Sequence, residues 1–386
     1  MRILIYAHEF PPHSGGIATY NTELANGLSA QGHKVLVLAP KYSARENTEQ
    51  SGEKYRVWRT FPNKGFKPYK ILASTVSLIW CWFRFHPDVI LATNAGSQRC
   101  AAIASLLFPI PYVLVVHGKE IRELFKNDRL LIIFFRNLIR RGFFRAKAII
   151  AVSEVSRNTL LSVMPELEKK THIVYFGIES PFQAAIEEKE VEDLRKHLHL
   201  ASEDKIILTV ARLTPGKGQD LVIHSLPKVL EKMPNTKYLV VGDGECAAEL
   251  KSLAQVLGVE SAVRFVGNVP RRQIWGYYKL CDVFVMPSRL DENFGLVFIE
   301  AASVSKPVIG GTQSGMKEAV LNRETGILVN PDSIEEITDA IIYLLTHPEI
   351  ASQMGRHGRD RFNECFTIQA MIEKTLDVLR GVADVN

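Results

Sequence analysis

Cysteine is scarce and poorly placed for chemistry in this chain of 386 residues. There are five (Cys81, Cys100, Cys246, Cys281 and Cys365), an odd number, widely scattered and without a Cys-x-x-Cys spacing. That argues against a disulfide scaffold or a zinc site and suits reduced, packed thiols in a cytoplasmic protein. Long apolar runs are also missing. Ile71 to Phe83 is too short to span a bilayer, and Pro109 and Pro111 divide the uncharged stretch Cys100 to Val116 into a helix and a strand. No secretory pattern is visible, because Arg2 leads into a short strand-like run ending at His8 and Glu9. The expectation is a cytoplasmic chain, either soluble or peripheral on the inner face of the membrane. No Gly-x-Gly-x-x-Gly follows the first strand and no Walker lysine accompanies its glycines, which counts against a nicotinamide enzyme. Asp-x-Asp is absent, as is any recognised nucleic-acid module, so neither a metal nor a nucleic acid is expected.

What is present is an alternation of short apolar strands with helical patterns. Strands are expected at Arg2 to Tyr6, Lys34 to Ala39, Val89 to Ala92, Tyr112 to Val116, Ala148 to Val152 and Thr171 to Val174. A second set is expected at Lys205 to Val210, Lys237 to Val241, Val263 to Phe265, Val283 to Met286, Pro307 to Gly310 and Gly326 to Val329. Repeated βα units predict parallel sheets covered on both faces. At 386 residues the chain exceeds what one core usually supports, so two domains are expected, 1–180 and 181–366, divided just before the glutamate-rich stretch Gln183 to Lys196. A last helical pattern occupies 367–386. Charge is uneven: residues 1–180 hold 24 Lys and Arg against 13 Asp and Glu, or +11, while the remainder holds 23 against 29, or −6. The densest basic segment, Arg122 to Lys147, interleaves eight cations with five phenylalanines. It reads either as a helix lying on an anionic membrane surface or as one packed on its own sheet.

Three groups of residues and one histidine carry chemistry. Asp291-Glu292-Asn293-Phe294-Gly295-Leu296, followed by Glu300, suits a strand-to-helix turn that turns two carboxylates, Glu292 and Glu300, toward one ligand. Free amides at such a turn can meet the oxygens of a polyhydroxylated, phosphorylated ligand. The plain alternative is a capping acid and a solvated helix glutamate. Arg212 and Lys217 stand at a strand exit among Pro215, Gly216 and Gly218, as a diphosphate clamp or as two surface cations. Gly15 and Gly16 lie between the first strand and a helix, where their amides can meet a phosphate or simply allow a tight turn. His117 ends a strand at its carboxyl edge, either as an acid or base or as a hydrogen-bonding residue.

The ordered set Gly15-Gly16, His117-Gly118-Lys119-Glu120, Arg212-x4-Lys217 and Glu292-x7-Glu300 resembles the signature of family 4 glycosyltransferases, with further matches at Ser153-Glu154, Gly242-Asp243-Gly244, Phe265-Val266-Gly267 and Gly326. The resemblance runs along nearly the whole chain. It implies an α/β chain of GT-B architecture, two Rossmann-like domains whose parallel sheets face a deep interdomain cleft. In it the first domain binds the acceptor, the second binds the nucleotide-sugar donor, and the C-terminal helix crosses back to the first. It further implies a retaining, metal-independent hexosyltransferase in which Arg212, Lys217 and the Gly16 amide stabilise the leaving diphosphate. Glu292 with Asn293, Phe294, Gly295 and Leu296 would hold the sugar, Glu300 the ribose diol, and Val266 and Gly267 the base, with Gly242 nearby and His117 against the transferred sugar. Glu120 would support the His117 loop. No cofactor beyond the donor is implied.

Two positions depart from the family pattern. Lys317 stands where a proline is common, and Asn293 where a glycine is common. The Phe-Pro-Pro-x-x-Gly-Gly-Ile entry looks most like GDP-mannose-dependent transferases acting on phosphatidylinositol, so the expected partners are GDP-mannose and a sugar or lipid-linked acceptor. A UDP-glucose or UDP-N-acetylhexosamine donor stays open, as do a nucleotide-sugar epimerase and a non-catalytic subunit binding glycan or membrane.

Overall fold

The computed structural model describes residues 1–386 apart from 14, 43–48, 52–53, 63–66, 119, 123–129, 180–186, 291–293, 314 and 384–386. The chain divides into two compact units, residues 1–178 with 367–386, and residues 179–366.

In the first unit the strands are β1 (Arg2–Tyr6), β2 (Lys34–Lys41), β3 (Glu49–Ser51), β4 (Arg56–Pro62), β5 (Val89–Ala92), β6 (Tyr112–Val116), β7 (Ala148–Ala151) and β8 (Thr171–Ile173). They form one sheet in the order β3-β4-β2-β1-β5-β6-β7-β8, parallel throughout except for β3, which pairs antiparallel with β4. The inner strands β5 and β6 are buried along their whole length and β1 from Ile3 onward, which is why they read as apolar runs rich in Ile, Leu and Val. Helices α1 (Gly16–Ala30), α2 (Lys67–Phe85), α3 (Ala95–Leu107), α4 (Leu130–Arg145) and α5 (Glu154–Leu161) connect them. Asn94 and Ser97 cap α3 reciprocally, and Ser153 caps α5 through the Ser156 amide, 3.0 Å away.

Strands β3 and β4 are additions to the sequence-based expectation. Arg56 and Arg59 interrupt the apolar run of β4, yet Arg59 is buried, its guanidinium donating to the carbonyls of Pro40, at 3.0 Å, and Pro11. Main-chain acceptors thus compensate the charge that hides the strand from a hydrophobicity reading.

The second unit holds β9 (Lys205–Val210), β10 (Thr236–Val241), β11 (Val263–Gly267), β12 (Val283–Met286), β13 (Val308–Gly311) and β14 (Gly326–Val329), all parallel, in the order β11-β10-β9-β12-β13-β14. Its helices are α6 (Glu188–His197), α7 (Gln219–Lys232), α8 (Ala247–Val256), α9 (Arg271–Leu280), α10 (Leu296–Ser303), α11 (Met316–Ala319), α12 (Ile334–Thr346) and α13 (Pro348–Cys365). Helix α14 (Ile368–Ala383) then returns to the first unit. It buries Met371, Ile372, Leu376, Leu379 and Val382, and Ile372 fills the space left by Gly27 on α1.

In both sheets the strand order reverses at the first strand, between β1 and β5 and between β9 and β12. Crevices at the carboxyl ends of strands open at such reversals. All five cysteines are free; burial pushes the thiols of Cys81 and Cys281 up to about 12.

Candidate active site

In the second unit the turn after β9 carries Arg212, which is exposed, and Lys217, which is half-buried. Gly216 and Gly218 have φ of 86° and 90°, a region that admits glycine at little cost. The turn needs them because it lies against the loop leaving β12. Arg289 donates its backbone N–H to the Gly216 carbonyl at 2.8 Å, and a Cβ on Gly218 would stand 2.5 Å from the Pro287 carbonyl oxygen. The Arg212–Lys217 turn is thereby tied to the segment that runs on to Glu292 and Glu300. Residues 291–293, and with them Glu292 and Asn293, lie outside the described residues.

Beyond them Phe294 is buried edge-on against Phe366, and Gly295, at φ 72°, ψ 60°, starts α10 without a side-chain cap. The first amides of α10, at Leu296 and Val297, therefore point out of the helix start with no capping side chain. On the other side of β9, the Gly242 amide donates to the Gly267 carbonyl at 2.9 Å, and a Cβ on Gly242 would collide with the Ala211 carbonyl. Gly267 has φ 81° and open space where a Cβ would be. Arg212, Lys217, Gly242, Val266, Gly267, Phe294, Gly295 and Leu296 thus gather at the carboxyl ends of four neighbouring strands. Lys317 is exposed on α11.

Glu300 sits in the second turn of α10. Its Oε2 accepts a 2.7 Å hydrogen bond from the hydroxyl of Tyr278 on α9. Burial pushes the carboxyl above the usual range, and the Tyr278 bond and the Arg271 charge pull it partly back. Tyr278 itself is fully buried, its hydroxyl held well above the usual range by burial and by the adjacent Glu300. One oxygen of Glu300 is fixed by the protein, a geometry that leaves the other to a ligand. Sequence reading missed Tyr278. Its signal is only a tyrosine 22 residues from its partner on a different helix.

The first unit assembles a second group around the exits of β1, β5 and β6. Gly15, at φ 148°, ψ 165°, precedes α1, whose start also lacks a side-chain cap. A Cβ on Gly15 or Gly16 would meet nothing within 4 Å, so close packing is not what these glycines serve. His117 is buried; its Nε2 lies 3.0 Å from the Thr93 carbonyl, which can only accept, so Nε2 carries the hydrogen of that bond. Glu120 accepts the His117 backbone N–H at 2.6 Å, and the Tyr20 ring from α1 meets the imidazole edge-on at 5.5 Å. Thr93 and Tyr20, like Tyr278, carry no local sequence signal. Among the described residues no three His, Cys, Asp or Glu are grouped to hold a metal, and no helix is long and apolar enough to cross a membrane.

Of the basic segment 122–147, residues 123–129 lie outside the described residues. The end of α4 packs inward through Ile139, Phe143 and Gly142, the last directly on Ala102 of α3. Arg140 pairs with Glu166 at 3.1 Å.

Two Rossmann-like units built on mainly parallel sheets, each with polar groups collected at its strand exits, are the architecture of the GT-B class of glycosyltransferases. The comparisons give the family. Residues 14–180 match the model for Glycosyltransferase Family 4, and residues 190–361 match that for Glycosyl transferases group 1. The chain belongs to the family 4 glycosyltransferases and is a hexosyltransferase. It is 28% identical, over 92% of each chain, to a GDP-mannose-dependent α-(1-6)-phosphatidylinositol monomannoside mannosyltransferase of Mycolicibacterium smegmatis. Its fold matches that of sucrose-phosphate synthase from Thermosynechococcus elongatus over 100% of both chains, with TM-score 0.77 and 21% identity. It also matches Anabaena HepE in complex with UDP, over 99% of this chain and 100% of that one, with TM-score 0.77 and 20% identity.

Proposed function

We propose that the chain moves mannose from GDP-mannose to an acceptor hydroxyl carried on a lipid, with retention of configuration and without a metal ion. The observation that carries the donor site is Glu300, half-buried and held by Tyr278, on the helix that follows the joined loops bearing Arg212 and Lys217. In this reading the free oxygen of Glu300 accepts from the ribose diol, and the backbone around Val266, Gly267 and Gly242 meets the base. Glu292, with the amides from Asn293 to Leu296, holds the sugar hydroxyls.

Chemistry is positional and electrostatic. The bond from the anomeric carbon to the phosphate oxygen breaks, and charge grows on the diphosphate. Arg212 and Lys217 offset that charge. The departing phosphate oxygen takes the acceptor proton on the same face, where the acceptor oxygen bonds to the anomeric carbon. His117 accepts a sugar hydroxyl through Nδ1. Contact of segment 122–147 with an anionic membrane belongs to the same reading.

The identity to a relative named for GDP-mannose supports that donor, and a UDP-sugar is the competitor. The test is transfer from labelled GDP-mannose to vesicles containing phosphatidylinositol, with the anomeric proton of the product read by NMR. An α-linked product, formed equally with EDTA, is expected. Transfer from UDP-glucose alone would refute the donor, a β-linked product the retention, and loss with EDTA the metal independence.

A further inference from the structure

Helix α2 has two apolar faces, and only one of them serves the fold. Ser74, Ser77, Leu78 and Cys81 are buried toward the sheet. On the opposite side Tyr69, Leu72, Val76, Trp80 and Phe83 stand 49–64% exposed. Their spacing of 3, 4, 4 and 3 residues confines them to an arc of about 80° and a stripe roughly 21 Å long, at ~100° and ~1.5 Å per residue. The stripe continues onto α3. The Phe83 ring meets Phe108 edge-on at 5.6 Å, and Leu106 and Leu107 beside it are exposed. A monomer seldom displays such a contiguous patch without an occupant.

Charge selects the occupant. Helix α2 contains Lys67, Lys70 and Arg84 and no Asp or Glu; indeed no acidic residue occurs from Arg56 through Pro87. A second copy laid antiparallel on the stripe would set the Lys70 end of one helix against the Arg84 end of the other, with no carboxylate on either helix to offset them. Anionic headgroups supply the missing charge, and Tyr and Trp at the edge of an apolar stripe suit the headgroup boundary. A cavity of about 570 Å³ opens at the N-terminal end of α2, lined by Lys70, Ile71, Arg99, His8, Glu9 and His13. Lys70 and Arg99 form no ion pair or hydrogen bond among the described residues. Burial and these two cations hold His8 neutral, its value lowered to about 3. Apart from Glu9 the cavity wall therefore continues the positive field of the helix.

We infer that the exposed stripe of α2, with the end of α3, is the surface by which this protein rests on an anionic phospholipid bilayer. The face is separate from segment 122–147, and the inference holds whatever the donor or acceptor proves to be.

The test is co-sedimentation of the full chain with vesicles of phosphatidylcholine alone and with 30 mol% phosphatidylglycerol. The triple variant Leu72→Ser/Val76→Ser/Phe83→Ser changes only exposed side chains, and its thermal melt verifies that it folds. Arg84→Glu is a second, single-site variant. Wild type should bind the anionic vesicles, at least about tenfold more tightly than the triple variant. Arg84→Glu should weaken binding at low salt and match wild type at high salt. Absence of wild-type binding, or equal binding by the triple variant, would overturn the inference. So would a wild-type dimer in sedimentation velocity that the triple variant abolishes, since the stripe would then belong to a second copy.

Discussion

At the scale of single residues the proposed donor site rests on a trade between stability and binding at Glu300. Because the folded protein raises this carboxyl above its unfolded value, the native state binds more protons between the two values. Stability contributed at this position therefore falls as pH rises from the ordinary carboxylate range, about 4.3, toward the raised value, and stays low above it. Glu300→Gln keeps an acceptor for Tyr278 and removes the charge. Its melting temperature is expected to match wild type near pH 4 and exceed it at pH 8. Donor affinity should fall by roughly 10- to 100-fold, the value of charge-assisted hydrogen bonds to a diol. Tyr278→Phe is expected to raise the KM for donor with little change in kcat, because in the proposed site Tyr278 acts by holding the Glu300 carboxylate.

At the scale of elements, the uncapped start of α1 separates a structural glycine from a functional one. Gly16 occupies the first helical position with open space around it, so Gly16→Ala should leave stability unchanged or raise it by up to about 1 kcal/mol through helix propensity, read as a melting temperature no lower than wild type. If the Gly16 amide meets a phosphate, the added methyl group should nevertheless lower kcat/KM by about tenfold or more. Full activity in this variant would return Gly16 to the role of a turn residue.

The parallel strands, the Arg212–Lys217 turn and the start of α10 were legible because local signals encode them: apolar runs of strand length, glycines at turns, and charge beside them. Strand β4 was not, because a buried arginine satisfied by distant carbonyls looks like a surface residue in sequence. The α2 stripe was hidden for the opposite reason. With apolar residues on both faces, Ile71 to Phe83 shows no contrast to mark which face the fold leaves uncovered. Tyr278, Thr93 and Tyr20 enter the sites only through tertiary contacts.

At the scale of the whole molecule, the chain closes its first unit with its last helix. Five apolar side chains of α14 are buried there, and Gly27 on α1 has no room for a larger residue beside Ile372. Each such side chain contributes roughly 1.5–3 kcal/mol, so Gly27→Leu, which pushes α14 away, should cost several kcal/mol. Limited proteolysis should then release α14 first, while residues 179–366, whose core is separate, keep their protection. Loss of both units together would show that they unfold as one.

On the proposed reading, the strand exits of the second unit hold a nucleoside diphosphate through Glu300. The most direct measurement is a thermal-shift panel of GDP, UDP and ADP against wild type and Glu300→Gln. Wild type should be stabilised by one nucleotide class, GDP on the present account, by about 2.7 kcal/mol at a hundredfold excess over Kd, with most of the shift lost in the variant. No shift with any nucleotide, or an equal shift in Glu300→Gln, would contradict it.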